Sequence, residues 1–192
     1  LTREGYIKTE PNTMQTSLKH IFAAGSVRGS TSTAMAEAEG RYAGMNAASP
    51  HHMMAMPETV NIEICYTDPV LAVVGRGFEE MKLWARTTGG QFVAAHASFG
   101  NTLGSGGAHE GGCIGLYCDK RTHQVMGAEI CSHDADHLAQ LVAFAIKKRT
   151  IAEELVDFNF VHLSGEEVLS TAAADAVHKL TGRNGYQRLL QP

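Results

Sequence analysis

The run Val60-Asn61-Ile62-Glu63-Ile64-Cys65-Tyr66 alternates apolar with mostly polar residues. That period of two restricts the chain to a pleated strand with one dry face and one wet face. Such a strand belongs in an antiparallel sheet that helices cover on one side. The residues that follow repeat the demand. Leu71 to Val74 reads as a second strand after the turn Thr67-Asp68-Pro69, and Gln91 to Ala97 as a third. Cys113 to Cys118 and Gln124 to Cys131 read as a hairpin joined by Asp119-Lys120-Arg121-Thr122-His123. Phe78, Met81 and Ala85 give one helix its core face. Leu138, Leu141, Val142 and Ala145 do the same for a helix from about Asp134 to Lys148, whose basic C-terminal end suits the helix dipole. Thr150-Ile151-Ala152-Glu153 is a capping box opening a short helix toward Asp157, and a last helix runs from Ser164 to about Thr181, closed by Gly182. Residues 58–192 are therefore expected to be α+β, an antiparallel sheet flanked by helices.

The first fifty residues follow a different pattern. Tyr6 to Lys8 reads as a short strand, Pro11 to Lys19 as a loop, and Ile21 to Gly25 as a buried strand. A small polar turn, Ser26 to Thr33, then leads into a helix from about Thr33 to Ala48. A strand, a polar turn and a helix N-terminus leave backbone N–H groups facing an anion or a polar cofactor edge, although most such junctions bind nothing. Residues 1–50 read as the end of an α/β domain. Pro50 and Pro57 bracket a stretch without periodicity, which places a linker at 51–57. Leu1 is not an initiator Met, and the chain is expected to lack its own beginning.

A net charge of -4 with scattered Lys and Arg offers no basic stripe, which argues against nucleic acid as a partner. No apolar run approaches the roughly 20 residues of a membrane span and no signal peptide opens the chain, so a soluble cytoplasmic protein is expected. The four cysteines are too few and too scattered for a secreted disulfide framework. Cys113 and Cys118 sit five apart in a strand, so they point to opposite faces about 16 Å apart, which opposes a disulfide between them. The glycine-rich stretch 103–112 lacks the Lys and Ser/Thr of a P-loop and reads as a hairpin connection. His51-His52 has no third ligand nearby. His133 and His137 have a zinc-like spacing, but the neighbouring Asp residues serve more simply as helix caps, and no metal is expected.

One motif carries chemistry in its residue types. His162 and Glu167 set an imidazole and a carboxylate five positions apart at a loop-to-helix junction. A histidine held by a carboxylate moves protons near neutral pH. Ser164-x-x-Glu167 is equally a capping box, the commoner device.

Taken in order, these segments resemble the C-terminal part of the FAD-dependent pyridine nucleotide-disulfide oxidoreductases, closest to their dihydrolipoamide dehydrogenase branch. Ile21-Phe22-Ala23-Ala24-Gly25-Ser26-Val27, with Gly5-Tyr6-Ile7 and Thr16-Ser17 before it, resembles the family's second flavin segment. Ala36-Glu37-Ala38-Glu39-Gly40 is similar to the helix that follows it. Tyr66-Thr67-Asp68-Pro69 with Val74-Gly75, and the Gly112 to Asp119 and Val125 to Ile130 strands, are similar to its interface domain.

The resemblance implies a flavin-domain end at 1–50 and an interface (dimerisation) domain at 58–192. It implies that Gly25, Ser26, Thr33 and Ala34 line an FAD site, with NAD(P) bound by sequence upstream. It also implies a homodimer in which His162, oriented by Glu167, exchanges protons with the partner's redox dithiol during turnover of a dithiol/disulfide such as dihydrolipoamide, free or on a lipoyl-carrying protein. Such chemistry suits an imidazole, because thiol–disulfide exchange needs a thiolate attacker and a protonated leaving group. Two departures stand beside it: Ser26 replaces the family's Asp and loses a charge-assisted hydrogen bond to the flavin, and Leu163 replaces the Pro after the histidine. A divergent, non-catalytic dimerisation or scaffold module is the alternative these departures suggest.

Overall fold

A computed structural model describes residues 1–99, 111–162 and 164–183, so most of the glycine-rich stretch 103–112, and Leu163, lie outside the described residues. The chain divides into two compact units, Leu1–Thr59 and Val60–Pro192.

In the second unit the alternating segments become five strands: β1 (Ile62–Cys65), β2 (Val70–Gly75), β3 (Phe92–Ser98), β4 (Cys113–Asp119) and β5 (Val125–Ser132). They pair antiparallel in the order β1-β2-β5-β4-β3. The fold class is the expected α+β. Ala72, Val74, Ala95, Ala97, Ile114, Leu116, Ala128 and Ile130 are buried on one face of the sheet. On that face lie α3 (Ala135–Lys147), against β2 and β5, and α5 (Glu167–Thr181), against β3 and β4; α4 (Ala152–Asp157) packs on α5. The helix surfaces at this seam are built largely from alanine: Ala135, Ala139 and Ala143 on α3, Ala172, Ala173 and Ala176 on α5. Small side chains let a helix approach the pleat closely enough for Ile114, Leu116 and Val142 to interlock.

The opposite face carries Glu63, Cys65, Leu71, His96, Ser98 and Cys113, all exposed. At one end of it lies α2 (Phe78–Thr88), where Phe78 packs against Phe92 and Tyr117 with ring centroids 6.0 and 5.8 Å away. Glu129 fastens this corner by accepting from the Phe78 N–H at 2.8 Å and the Tyr117 hydroxyl at 2.9 Å. Burial, and then that carboxylate, push the Tyr117 phenol well above its ordinary value. Met81 is the one fully buried residue of α2, so of the expected core face only that position reaches the interior. Gly127 is required where it stands, because a Cβ there would fall on the Arg76 carbonyl oxygen.

Two expected caps take a different form. The box at Thr150 is displaced by one residue: α4 starts at Ala152, and Glu154 rather than Glu153 accepts from the Ile151 N–H, at 3.0 Å. Thr150 has its carbonyl engaged by the Val125 N–H, which ties it to the sheet and shifts the helix start. Gly182 does close α5 in the left-handed conformation, with its N–H on the His178 carbonyl.

The first unit contains a 3₁₀ helix (Gly25–Arg28) and α1 (Thr33–Ala48), with Ser32 accepting from the Met35 N–H as N-cap. The strands expected at 6–8 and 21–25 do not form. The backbone there makes isolated bridges, Thr9 with Thr16 and Gln15 with Phe22, and Ile21 stays 42% exposed. No ladder flanks either segment among the described residues, and a run of apolar residues without a ladder stays irregular. Segment 51–57 also lacks regular structure, yet it is tethered: Asn46 donates to the Met54 carbonyl and accepts from its N–H, and the Met56 N–H reaches the Asn12 carbonyl.

The outer edge of β3 is closed by α5. Asp175 accepts from the His96 backbone N–H at 2.9 Å, and Lys179 donates to the Ala94 carbonyl at 2.9 Å and to Asp175 at 2.7 Å. Burial alone would raise the Asp175 carboxyl, but these donors outweigh it and hold the group below its ordinary value of 3.8. A depressed carboxylate contributes stability that is present above the ordinary pKa and lost as pH falls through the folded value. Asp175→Asn is therefore expected to lower stability at neutral pH by about 1–2 kcal/mol and to flatten the loss of stability on acidification. Urea unfolding at pH 7 and at successively lower pH checks both.

Candidate functional site

The turn before α5 brings His162 and Glu167 together. Glu167 is the first residue of α5, and its Oε1 lies 3.1 Å from His162 Nδ1. An ionised carboxylate only accepts, so Nδ1 carries the proton and the Nε2 lone pair is left outward. The His162 side chain is 67% exposed and that of Glu167 29%. The arrangement presents a proton acceptor to whatever docks there.

The capping box that competes for Glu167 is not made. The Ser164 hydroxyl is buried without a hydrogen-bond partner among the described residues, and Glu166, which precedes α5, provides no side-chain cap. Glu167 turns to the imidazole instead. Its position is fixed by packing: Val168 and Leu169, the next two residues, are buried against the rest of the unit.

The other expected site residues belong to the first unit. Gly25 is buried at φ 78°, in the region glycine adopts without strain. Ser26, Thr33 and Ala34 are exposed, Ser26 in the 3₁₀ turn and the other two at the start of α1. The buried carboxylate of Glu39 shapes this turn. Its Oε2 accepts from the Gly25 N–H at 2.7 Å, and its Oε1 accepts from Arg28 at 2.8 Å and from the Ser30 hydroxyl at 2.6 Å. The Gly25 N–H is thus turned inward, while the first N–H groups of α1, Thr33 and Ala34, remain at the surface. A hydroxyl and two helix-terminal N–H groups suit the polar edge of a cofactor, but no side-chain charge is offered there.

Sequence reasoning missed three features. Glu39 stood in a motif as a helix residue without a role. His123 Nδ1 lies 2.5 Å from Glu153 Oε1, a histidine–carboxylate contact better shielded than the one at His162; thirty residues separate the two, and no local spacing announces them. Cys131 lies directly opposite Cys113; counting outward from the hairpin turn would have set Cys113 against Ile130, because an irregularity between Tyr117 and Cys118 shifts the register by one residue. Among the described residues no group of three or more His, Cys, Asp or Glu is placed to hold a metal ion, and no helix is long and apolar enough to cross a membrane. A cleft of about 600 Å³ between Trp84, Gly90, Asp119 and Lys120 includes none of the expected site residues.

Replacing Glu39 by Gln leaves the half-buried Arg28 without its counter-charge. A loss of about 3 kcal/mol is expected, local to the first unit, and is checked by limited proteolysis in which cleavage within 1–59 precedes cleavage of the sheet.

Comparison with known proteins gives the family and the fold. The sequence profile of the pyridine nucleotide-disulphide oxidoreductase dimerisation domain matches residues 62–173. The mercuric reductase of Shigella flexneri is 31% identical over 183 residues, which cover 90% of this chain and 30% of that protein. Among solved structures, the NAD-dependent persulfide reductase of A. fulgidus superposes with a TM-score of 0.75 at 16% identity, over 95% of this chain and 36% of that one. The HOCl-induced flavoprotein disulfide reductase RclA of Escherichia coli does so with a TM-score of 0.73 at 18% identity, over 90% and 39%. The structural likenesses show the fold. The chain spans about a third of the length of these relatives.

Proposed function

This chain belongs to the pyridine nucleotide-disulphide oxidoreductase dimerisation-domain family, and from that premise we propose that it is the C-terminal part of a flavin-dependent enzyme in which His162 is the acid/base and Glu167 its orienting partner. The observation that carries the reading is the 3.1 Å contact between His162 Nδ1 and Glu167, formed in place of a helix cap. In the proposed step, His162 Nε2 takes the proton of a substrate or enzyme thiol, and the thiolate so formed is the attacking species in disulfide exchange. Glu167 stabilises the imidazolium, and His162 returns the proton to the departing thiolate. Its exposure supports a site completed by another surface, which in a homodimer is the partner's redox dithiol.

Residues 1–50 are read as the end of the flavin domain and 51–57 as the connection to the dimerisation domain. Ser26 and the Thr33 and Ala34 N–H groups would hold a polar edge of FAD, which when bound supplies two-electron transfer between NAD(P)H and the dithiol. Dihydrolipoamide, free or protein-bound, is the substrate to test first within a wider range that includes persulfide and mercuric ion, for which similar proteins are named.

The 192-residue chain by itself is expected to show no turnover of dihydrolipoamide with NAD. In a longer form containing the upstream domains, His162→Gln is expected to lower kcat by roughly 10²–10⁴-fold, with a smaller loss for Glu167→Gln. Unchanged kcat in His162→Gln, measured by NADH formation, would remove the pair from the mechanism.

A further inference from the structure

Three of the four cysteines lie in one row across the open face of the sheet. Cys65 on β1 faces Leu71 on β2, Leu71 faces Cys131 on β5, and Cys131 faces Cys113 on β4. Ser98 on β3 ends the row. The fourth, Cys118, is on the covered face and fully buried; burial, with the nearby Glu153 charge, pushes its thiol up to about 12. It is sealed off from the others.

Within the row only one pair is close enough to react. Cys65 and Cys131 have a strand between them, which separates them by about 9.6 Å. Cys113 and Cys131 are directly opposed residues of an antiparallel pair. Such residues have Cα atoms about 4.5–5.5 Å apart and side chains on the same face, within the 4.4–6.8 Å span that a disulfide bridges. Both thiols are free, Cys113 is exposed and Cys131 half-buried. The helices α3, α4 and α5 pack on the other face, and the flanking Ser98 and Gly115 are small. The strands that hold the pair are hydrogen-bonded on both sides, β5 between β2 and β4, β4 between β5 and β3, so the backbone sets the two residues opposite each other.

We propose that Cys113 and Cys131 form a redox site of this chain's own, a cross-strand dithiol that is oxidised to an intramolecular disulfide by a low-molecular-weight disulfide of the glutathione type. One cysteine thiolate attacks a sulfur of the external RS–SR, forming Cys–S–SR, breaking the RS–SR bond and releasing one RS⁻. The opposed thiolate then attacks that cysteine's own sulfur, forming the Cys113–Cys131 bond and expelling the second RS⁻. The two cysteine thiols give up two electrons and two protons, and the external disulfide leaves as two thiols. Because the second thiol is already in place, the internal step outruns a second intermolecular one. A bridge at an exposed position belongs to the labile class that excess thiol reopens. This site is independent of the reading of His162 and Glu167.

The test uses the reduced full chain carrying Cys65→Ser, so that the isolated exposed thiol adds no adduct of its own. Incubated with glutathione disulfide, quenched in acid and denatured, it is expected to fall from three free thiols to one, to lose two hydrogens in intact mass, and to carry no bound glutathione. Peptide mapping should join Cys113 to Cys131, in this variant and in the unsubstituted chain alike. Adding Cys113→Ser should leave a persistent glutathione adduct on Cys131, and dithiothreitol should restore all thiols in every case. Retention of all three thiols, stable mixed disulfides on the unsubstituted pair, chain-to-chain crosslinks, or a bridge to Cys118 would each overturn the proposal.

Discussion

Everything placed with care in the second unit depends on the seam between the apolar face of the sheet and the alanine faces of α3 and α5. Because a strand's side chains alternate, one register puts Ile114, Leu116, Ala128 and Ile130 under the helices, and a slip of one residue would put Cys113, Gly115 and Glu129 there instead. The burial of that one set fixes the pairing of five strands, and the pairing fixes where every exposed group lies. Alanine at the contact does a second thing: it draws the helices close, so that α5 behaves as an extension of the sheet.

That rigidity is what the candidate site draws on. Glu167 opens α5, the buried Val168 and Leu169 follow it, and eight residues later Asp175 is hydrogen-bonded to the edge of β3. A carboxylate at the start of such a helix has little freedom, so the histidine brought to it by the preceding turn takes its tautomer from a fixed partner. The same logic acts in the first unit, where buried Glu39 determines which N–H groups of the polar turn face inward. It acts again on the open face, where the pleat holds two thiols opposite each other. In all three places the chemistry is local and the precision comes from packing elsewhere.

How much of this was legible in the sequence follows from the range of the interactions. The five strands and the helices of the second unit are written in period-two and period-3.6 patterns, which a reader of the sequence recovers because each residue's side is set by its near neighbours. The helix at Thr33–Ala48 and the stop at Gly182 were legible for the same reason. The strands expected at 6–8 and 21–25 failed because apolar content does not make a strand without a ladder to join. The cap at Thr150 failed because the Val125 N–H ties the Thr150 carbonyl to the sheet and the helix starts one residue later, and the cap at Ser164 failed because Glu167 meets a histidine instead. His162 and Glu167, five apart, could be paired from sequence; His123 with Glu153, and Gly25 with Glu39, are joined only by the fold.

The central claim is that Glu167 fixes the His162 imidazole with its proton on Nδ1 and its lone pair outward on Nε2. Long-range ¹H–¹⁵N correlation NMR of the ring nitrogens at neutral pH reads that arrangement directly. The account predicts a protonated Nδ1 and an unprotonated Nε2 at His162, shifting toward the ordinary Nε2-protonated form in Glu167→Gln. A His162 ring already protonated on Nε2 in the unsubstituted chain, or unchanged by Glu167→Gln, would contradict it.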